Sequence, residues 1–318
     1  MDTVLVVGAG QLGSRHIQAL KAVKTPLHIV VIDPSHASRE QARQRYEDVP
    51  SGADHIFTLC SEVPAGLESA TLLIVATNAN CRFEVFRAVV EQMPVRAAVL
   101  EKILFSDPRD YDQADSFAKK QGVKVWVNCS MRQTQIYRRV ADVCRGHGPV
   151  SYQISGSRFG LMTNAIHYVD HMCHVLRSAD FSVDPIGLKR ELVPSKRHGF
   201  LECIGTLQVH FSEGSIGSFT SFENGSAPLV VDIASSNGRF IVGETEGKAM
   251  YSGSDTDWQW ETIEGTFEPQ SRLTTALTES ILEKGSCLLT PLSESIAIHR
   301  KLFEPVRKYL GQDILPFT

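Results

Sequence analysis

Most of what would mark an unusual chain is missing here. The seven cysteines, Cys60, Cys81, Cys129, Cys144, Cys173, Cys203 and Cys287, are odd in number and scattered, and no C-x-x-C pair occurs. That spacing argues against a disulfide framework and fits reduced thiols in the cytoplasm. There is no long basic run, and the net charge is only −4. Nucleic acid and anionic membrane are therefore not expected as partners. No apolar stretch is long enough to span a bilayer, and the early apolar run is too short for a signal core. Internal repeats, low-complexity tracts and an H-E-x-x-H metal motif are also absent.

What is present begins at the first residues. Thr3 to Val7 reads as a buried strand, followed at once by Gly8-Ala9-Gly10-Gln11-Leu12-Gly13 and a helix. Leu27 to Ile32 is a second apolar run, and it ends on Asp33. This is G-x-G-x-x-G in its strand–turn–helix setting, with an acid about twenty residues on. Gly8 permits the tight turn, Gly10 lets a pyrophosphate approach the backbone, and Gly13 lets helix and strand pack closely. The helix N-terminus favours phosphate charge. Asp33 would accept hydrogen bonds from the adenosine ribose and repel a 2′-phosphate. NAD is therefore expected over NADP, although His36 and Arg39 lie close behind Asp33.

With 318 residues and 42% hydrophobic content, two domains are expected. Residues 1–125 alternate strand and helix patterns, which predicts an α/β Rossmann domain with a parallel, doubly wound sheet. The predicted strands are 3–7, 27–32, 56–59, 71–76, 97–100 and 123–127. Helices are predicted over 38–47, 81–92 and 107–121. Ligands of such sheets sit at the carboxyl ends of the strands, where Gly8, Asp33, Thr77, Asn78, Glu101 and Lys102 all fall. Residues 126–318 read as an α+β domain. One helix, 164–177, would pack on a large, mostly antiparallel sheet, with a hairpin signal at Ser236-Asn237-Gly238. Helices over 270–283 and 291–310 follow, and these last helices are candidates to pack back on the first domain. The uncovered face of that sheet is a candidate oligomer interface.

Two constellations can carry chemistry. Lys102, partly desolvated beside a bound nicotinamide, can exchange a proton with a substrate hydroxyl. A solvated Glu101–Lys102 pair is the plain alternative. On the predicted helix, His167, Asp170, His171 and His174 share one face. They read as a proton relay through His167, as a zinc site, or as satisfied structural histidines. Asn128 and Arg132 follow the sixth strand and are candidates to bind substrate oxygens at a cleft between the domains. They equally suit a solvated turn. Trp126, Trp258 and Trp260 read as packing residues.

In this order, the pieces resemble the glucose–fructose oxidoreductase / inositol dehydrogenase / rhizopine-catabolism (Gfo/Idh/MocA) family. The resemblance rests on Gly8 to His16, Asp33, Ala76-Thr77-Asn78, Glu101-Lys102, Asn128-x-x-x-Arg132, Ile166-His167-x-x-Asp170 and Leu289-Thr290-Pro291. It implies a Rossmann domain, a C-terminal domain with an open sheet, and a homodimer or homotetramer built on that sheet. It implies proton transfer by Lys102, with His167 as acid/base or substrate-binding partner. Cofactor would lie on Gly8, Gly10, Gln11, Leu12, Gly13, Asp33, Thr77, Asn78, Glu101 and Lys102. A carbohydrate-like secondary alcohol or ketone would lie on Asn128, Arg132, Thr163, Asn164, His167 and Asp170, with no metal. The chain departs from the pattern twice. Ile103 replaces the usual proline after Glu-Lys, and Thr163 stands where the family often has an aspartate. The second departure motivates an alternative, a non-catalytic NAD- and sugar-binding regulator of the same fold.

Overall fold

The protein is described by a computed structural model covering residues 1–264 and 267–318. Two compact units are present, residues 1–130 with 268–293, and residues 131–267 with 294–318.

The first unit is built from β1 (Asp2–Val7), α1 (Gly13–Leu20), β2 (Leu27–Ile32), α2 (His36–Glu47), β3 (Ile56–Cys60), β4 (Ala70–Val75), α3 (Arg82–Gln92), β5 (Val95–Leu100), α4 (Pro108–Gln121) and β6 (Lys124–Val127). The chain returns to it later with α7 (Gln270–Lys284) and β17 (Thr290–Pro291). The sheet order is β17-β6-β5-β4-β1-β2-β3. All pairs are parallel except the edge pair β17–β6. Local chemistry sets the helix ends. In α4, Asp107 accepts from the Arg109 N–H at 2.9 Å, Pro108 stands in the first turn, and Gly122 closes the helix at φ 67°. Val4, Val6, Ile29, Val31, Leu72 and Ile74 on one face and Leu5, Val30 and Leu73 on the other are fully buried, as both faces of a parallel sheet require. Ile17 of α1 and Ile281 of α7 join the same core. β1 lies between β2 and β4, so the strand order reverses there. That switch point opens a crevice at the carboxyl ends, directly at the glycine turn.

The second unit contains α5 (Gln135–Cys144), β7 (Ser151–Ser157), α6 (Leu161–Leu176), β8 (Phe181–Asp184), β9 (Val193–Pro194), β10 (Leu201–Glu202), β11 (Gly205–Phe211) and β12 (Ile216–Phe222). It continues with β13 (Val230–Ala234), β14 (Gly238–Gly243), β15 (Lys248–Gly253) and β16 (Glu261–Glu264), and most of α8 (Leu292–Leu310). Its eight-stranded sheet runs β16-β15-β14-β13-β7-β12-β11-β8. Only β7–β12 is parallel. The β13–β14 hairpin turns at the predicted Ser236-Asn237-Gly238. The expectation of one covering helix is corrected: α5 and α6 both pack on this sheet. The residues of α5 facing inward, Ile136, Tyr137, Val140, Ala141 and Cys144, have helical spacing. Along β14, Phe240 and Val242 point into the core, while Arg239 and Ile241 point away from it and are exposed. The far face is thus polar with scattered apolar residues.

Candidate functional site

The glycine turn has the geometry its sequence suggests. Gly8 has φ +94°, and a Cβ there would lie 2.9 Å from the Ala76 carbonyl carbon. A Cβ on Gly13 would lie 1.8 Å from the Gly8 oxygen, so only glycine lets α1 approach β1 this closely. Gly10 meets nothing within 4 Å, leaving its backbone open to a ligand. Gln11 is exposed and Leu12 half-buried at the start of α1. Arg45 of α2 reaches the turn, donating to the Gln11 carbonyl at 2.9 Å, its side-chain oxygen at 2.8 Å, and the Ser14 hydroxyl. A cation is thereby fixed beside the open backbone.

Asp33 is held by the Ala9 N–H at 2.7 Å on one oxygen and the Ser35 N–H at 2.8 Å on the other. Each carboxylate oxygen retains a lone pair for a ribose hydroxyl. The Arg39 guanidinium is turned to the Asp33 carbonyl at 2.5 Å. Thr77 follows β4, and its hydroxyl oxygen is buried with no hydrogen-bond partner among the described residues. Asn78 beside it is exposed. An open backbone at Gly10, an anchored acid at Asp33 and an orphaned hydroxyl at Thr77 together fit a dinucleotide.

Glu101 and Lys102 follow β5, with Glu101 buried and Lys102 half-buried. His16 Nε2 lies 2.8 Å from Glu101 Oε1, and His16 Nδ1 lies 2.8 Å from the Thr274 hydroxyl. Thr274 accepts from Gln270 at 2.8 Å; Gln270 Oε1 accepts from Asn128 at 3.0 Å, and Asn128 donates to Glu101 Oε1. The five side chains close a ring inside the first unit. Burial works to raise the Glu101 pKa, but the His16 and Asn128 bonds and the Arg82 charge win, bringing it from 4.5 down to about 2. A depressed carboxylate stabilises the fold above its ordinary pKa and loses that contribution as pH falls. The contribution is therefore complete above 4.5 and fades towards about 2. Glu101→Gln is expected to flatten the acid side of the stability profile, measured by urea denaturation at neutral and acid pH. Equal acid sensitivity in both proteins would overturn this.

Sequence reasoning gave His16 no role and passed over Arg82. Arg82 is fully buried at the start of α3. It donates to the Leu104 carbonyl at 2.8 Å and also to the carbonyls of Ile103 and Thr77. One guanidinium thus ties the Thr77 loop to the Lys102 loop. The Lys102–Ile103 peptide is cis. Where a proline ring would restrict the backbone at residue 103, Arg82 holds the following carbonyls instead.

In the second unit, Thr163, Asn164 and His167 are the half-exposed residues at the start of α6. Asn164 donates to the Phe159 carbonyl at 2.6 Å. Asp170 is fully buried, and its two oxygens face Arg132 at 2.7 and 3.0 Å. Arg132 also meets Glu294 at 2.8 Å. His171 bonds the Tyr152 hydroxyl at 2.9 Å and the Tyr137 carbonyl at 2.8 Å. Burial first, aided by nearby cations, lowers its pKa to about 3 and that of His174 to about 4. Both are neutral at pH 7. Arg145, at the end of α5, lies 3.1 Å from His174 Nε2. The polar stripe of α6 faces α5, the residues at its two ends, and β7. Among the described residues, no group of three or more His, Cys, Asp or Glu side chains could hold a metal.

Glu202, on β10, was not anticipated. It accepts from the Met162 N–H at 2.9 Å, the Thr163 N–H at 3.1 Å and the Thr163 hydroxyl. Burial raises its pKa, opposed by these bonds. The carboxylate missing from position 163 is therefore supplied beside it by another strand. Thr163, Asn164 and Glu202 line a cavity of about 400 Å³. An acid between apolar Leu201 and Cys203 was the only sequence signal.

A dinucleotide cradle with a lysine loop at the same sheet edge defines an NAD(P)-dependent oxidoreductase. Residues 3–129 match the family model described as "Oxidoreductase family, NAD-binding Rossmann fold". Over that segment the chain is similar to the Gfo/Idh/MocA oxidoreductases. No curated protein matches its sequence. Solved structures show the shared fold across nearly the whole chain. An oxidoreductase from Agrobacterium radiobacter, in complex with NAD+, L-tartaric acid and magnesium, is 14% identical with TM-score 0.71, covering 97% of this chain and 98% of that one. Biliverdin reductase from Synechocystis, with biliverdin and NADP+, is 13% identical with TM-score 0.69, covering 97% and 98%. A 3-ketoreductase from Actinomadura kijaniata, with NADP and TDP-benzene, is 15% identical with TM-score 0.64, covering 96% of each. Among the described residues, no helix is long and apolar enough to cross a membrane.

Proposed function

We propose that the chain is an NAD-dependent oxidoreductase interconverting a carbohydrate-like secondary alcohol and its ketone, working as a cytoplasmic homodimer or homotetramer. The observation that carries this reading is the hydrogen-bonding floor of the second unit's cavity, Thr163, Asn164 and Glu202. Such a floor suits a substrate rich in hydroxyls better than an apolar one. The bound cofactor supplies the hydride acceptor or donor. The chain's own residues do the rest. Lys102 takes the hydroxyl proton as the carbonyl forms, or returns it in reduction. His167 orients or relays at the substrate, while Thr163 and Asn164 bind its hydroxyls. Asn128 and Glu101, joined by a hydrogen bond, fix the backbone that carries Lys102. Arg132 and Asp170 shape the site by holding α6 rather than by touching substrate. The regulatory alternative drew on the missing carboxylate at Thr163, and Glu202 weakens that motive.

Asp33 supports NAD over NADP. Its carboxylate is fixed by two backbone N–H groups, and Arg39, the nearest candidate partner for a 2′-phosphate, is engaged with the Asp33 carbonyl. The test is nicotinamide absorbance across sugars, inositols, sugar acids and nucleotide sugars, with NAD and with NADP. Turnover is expected with NAD, weaker by about ten-fold or more with NADP, a difference of about 1.4 kcal/mol or more. NADH binding with no turnover on any of the panel would favour the regulatory reading. Preference for NADP would overturn the cofactor assignment.

A further inference from the structure

The cavity of the second unit has two chemically different ends. Its floor carries Glu202, whose residue is 6% exposed. Its rim carries Arg158, Lys196 and Arg197. All three are exposed. Arg158 is positioned by its Nε, which donates to the Glu223 carbonyl at 2.6 Å. The side chains of Lys196 and Arg197 have no ion-pair partner among the described residues. Three cations thus gather at one mouth of a chain whose net charge is −4. Glu202, the one acidic side chain lining the cavity, is already engaged by Met162 and Thr163. Surface cations are ordinarily dispersed among acids, and a single-sign rim above a walled cavity focuses potential on an incoming anion.

The volume bears on the same point. About 400 Å³ lies at the lower end of the range for small-molecule sites and exceeds the needs of one neutral hexose ring. A sugar ring on the floor leaves room for a further group, and the side chains waiting there are guanidinium and ammonium. Arginine in particular suits phosphate and carboxylate oxygens through paired N–H donors.

We infer that the substrate is an anionic sugar derivative, its hydroxyls on the Thr163–Glu202 floor and its phosphate or carboxylate on the Arg158–Lys196–Arg197 rim. This rests on the reading that the second unit binds the substrate. It does not depend on hydride transfer.

The experiment is calorimetric binding to the NADH-loaded protein. The probes are D-glucuronate, D-glucose 6-phosphate, UDP-glucose and neutral D-glucose, each at low and high salt. The wild type is compared with the doubly reversed Lys196→Glu/Arg197→Glu protein. At least one anionic probe should bind the wild type more tightly than D-glucose, and weaken as salt rises. Reversal should weaken it by about 10- to 100-fold, the loss expected for one or two charge-assisted bonds. Carboxylate, phosphate and nucleotide probes distinguish the source of the charge. NADH affinity reports that the variant is folded. If D-glucose binds as well as every anionic probe, or reversal changes nothing, the inference is overturned. If an anionic probe binds and is lost on reversal, yet no hydride transfer follows, the inference stands and the redox reading fails.

Discussion

Lys102→Met is expected to lower kcat/KM by about 10²- to 10⁴-fold, the usual worth of a positioned proton-transfer group. That corresponds to about 3–5 kcal/mol of transition-state stabilisation. The substitution keeps the aliphatic stem and removes only the ammonium. The surroundings should not collapse, because the loop is held by other residues. Arg82 grips the carbonyls after Lys102, and the His16–Glu101–Asn128 bonds fix the residue before it. NADH affinity, read by fluorescence titration, should therefore stay close to wild type, since the open backbone at Gly10 and the Asp33 carboxylate are untouched. A loss of turnover together with a loss of NADH binding would signal a disrupted loop instead. Full turnover would remove Lys102 from the chemistry. The comparison requires a substrate, so it follows the panel measurement.

What was legible from the sequence was local. The strand, glycine turn and helix sit within twenty residues of one another, and the Gly13 contact with the Gly8 carbonyl lies inside that stretch. Asp33 and Lys102 were legible because parallel strands deliver their ends to one edge, so the last residue of a recognised strand has a known place. The hairpin at Ser236-Asn237-Gly238 was likewise encoded in its own turn. The remaining features depend on distant partners. His16 meets Thr274 across 258 positions, and only folding brings α7 onto α1. Glu202 sits on a two-residue strand, too short to carry any periodicity. Arg82 binds carbonyls, and carbonyl acceptors leave no mark on the sequence. The polar stripe of α6 shows best how one omission propagates. With α5 unrecognised, Asp170, His171 and His174 read as a candidate site. With α5 in place, Tyr137 and Arg145 meet the two histidines, and Arg132, in the turn before α5, meets Asp170.

That account makes a prediction about stability. Asp170→Ala should cost about 3–5 kcal/mol in chemical denaturation, because it strands a buried guanidinium. The two side chains are 6% and 1% exposed, so water cannot compensate. Burial pulls the Arg132 pKa down, but Asp170 and then Glu294 more than restore it, and the arginine keeps its charge. In the Asp170 variant the remaining partners are the residue-170 carbonyl at 3.3 Å and Glu294, and Glu294 is 44% exposed. Replacing both partners, as Arg132→Met with Asp170→Leu, should recover most of the loss, since an apolar pair of similar volume carries no desolvation penalty. The two readings of these residues separate cleanly in this cycle. A structural pair gives a large loss for the single variant and recovery in the double, with substrate KM changing only in step with stability. Substrate ligands would give near-normal stability in each protein and a raised KM that the double variant cannot restore. The structural outcome follows from geometry, because both Asp170 oxygens already face the guanidinium at 2.7 and 3.0 Å. Thr163, Asn164 and His167, half-exposed at the start of the same helix, remain the proposed substrate contacts.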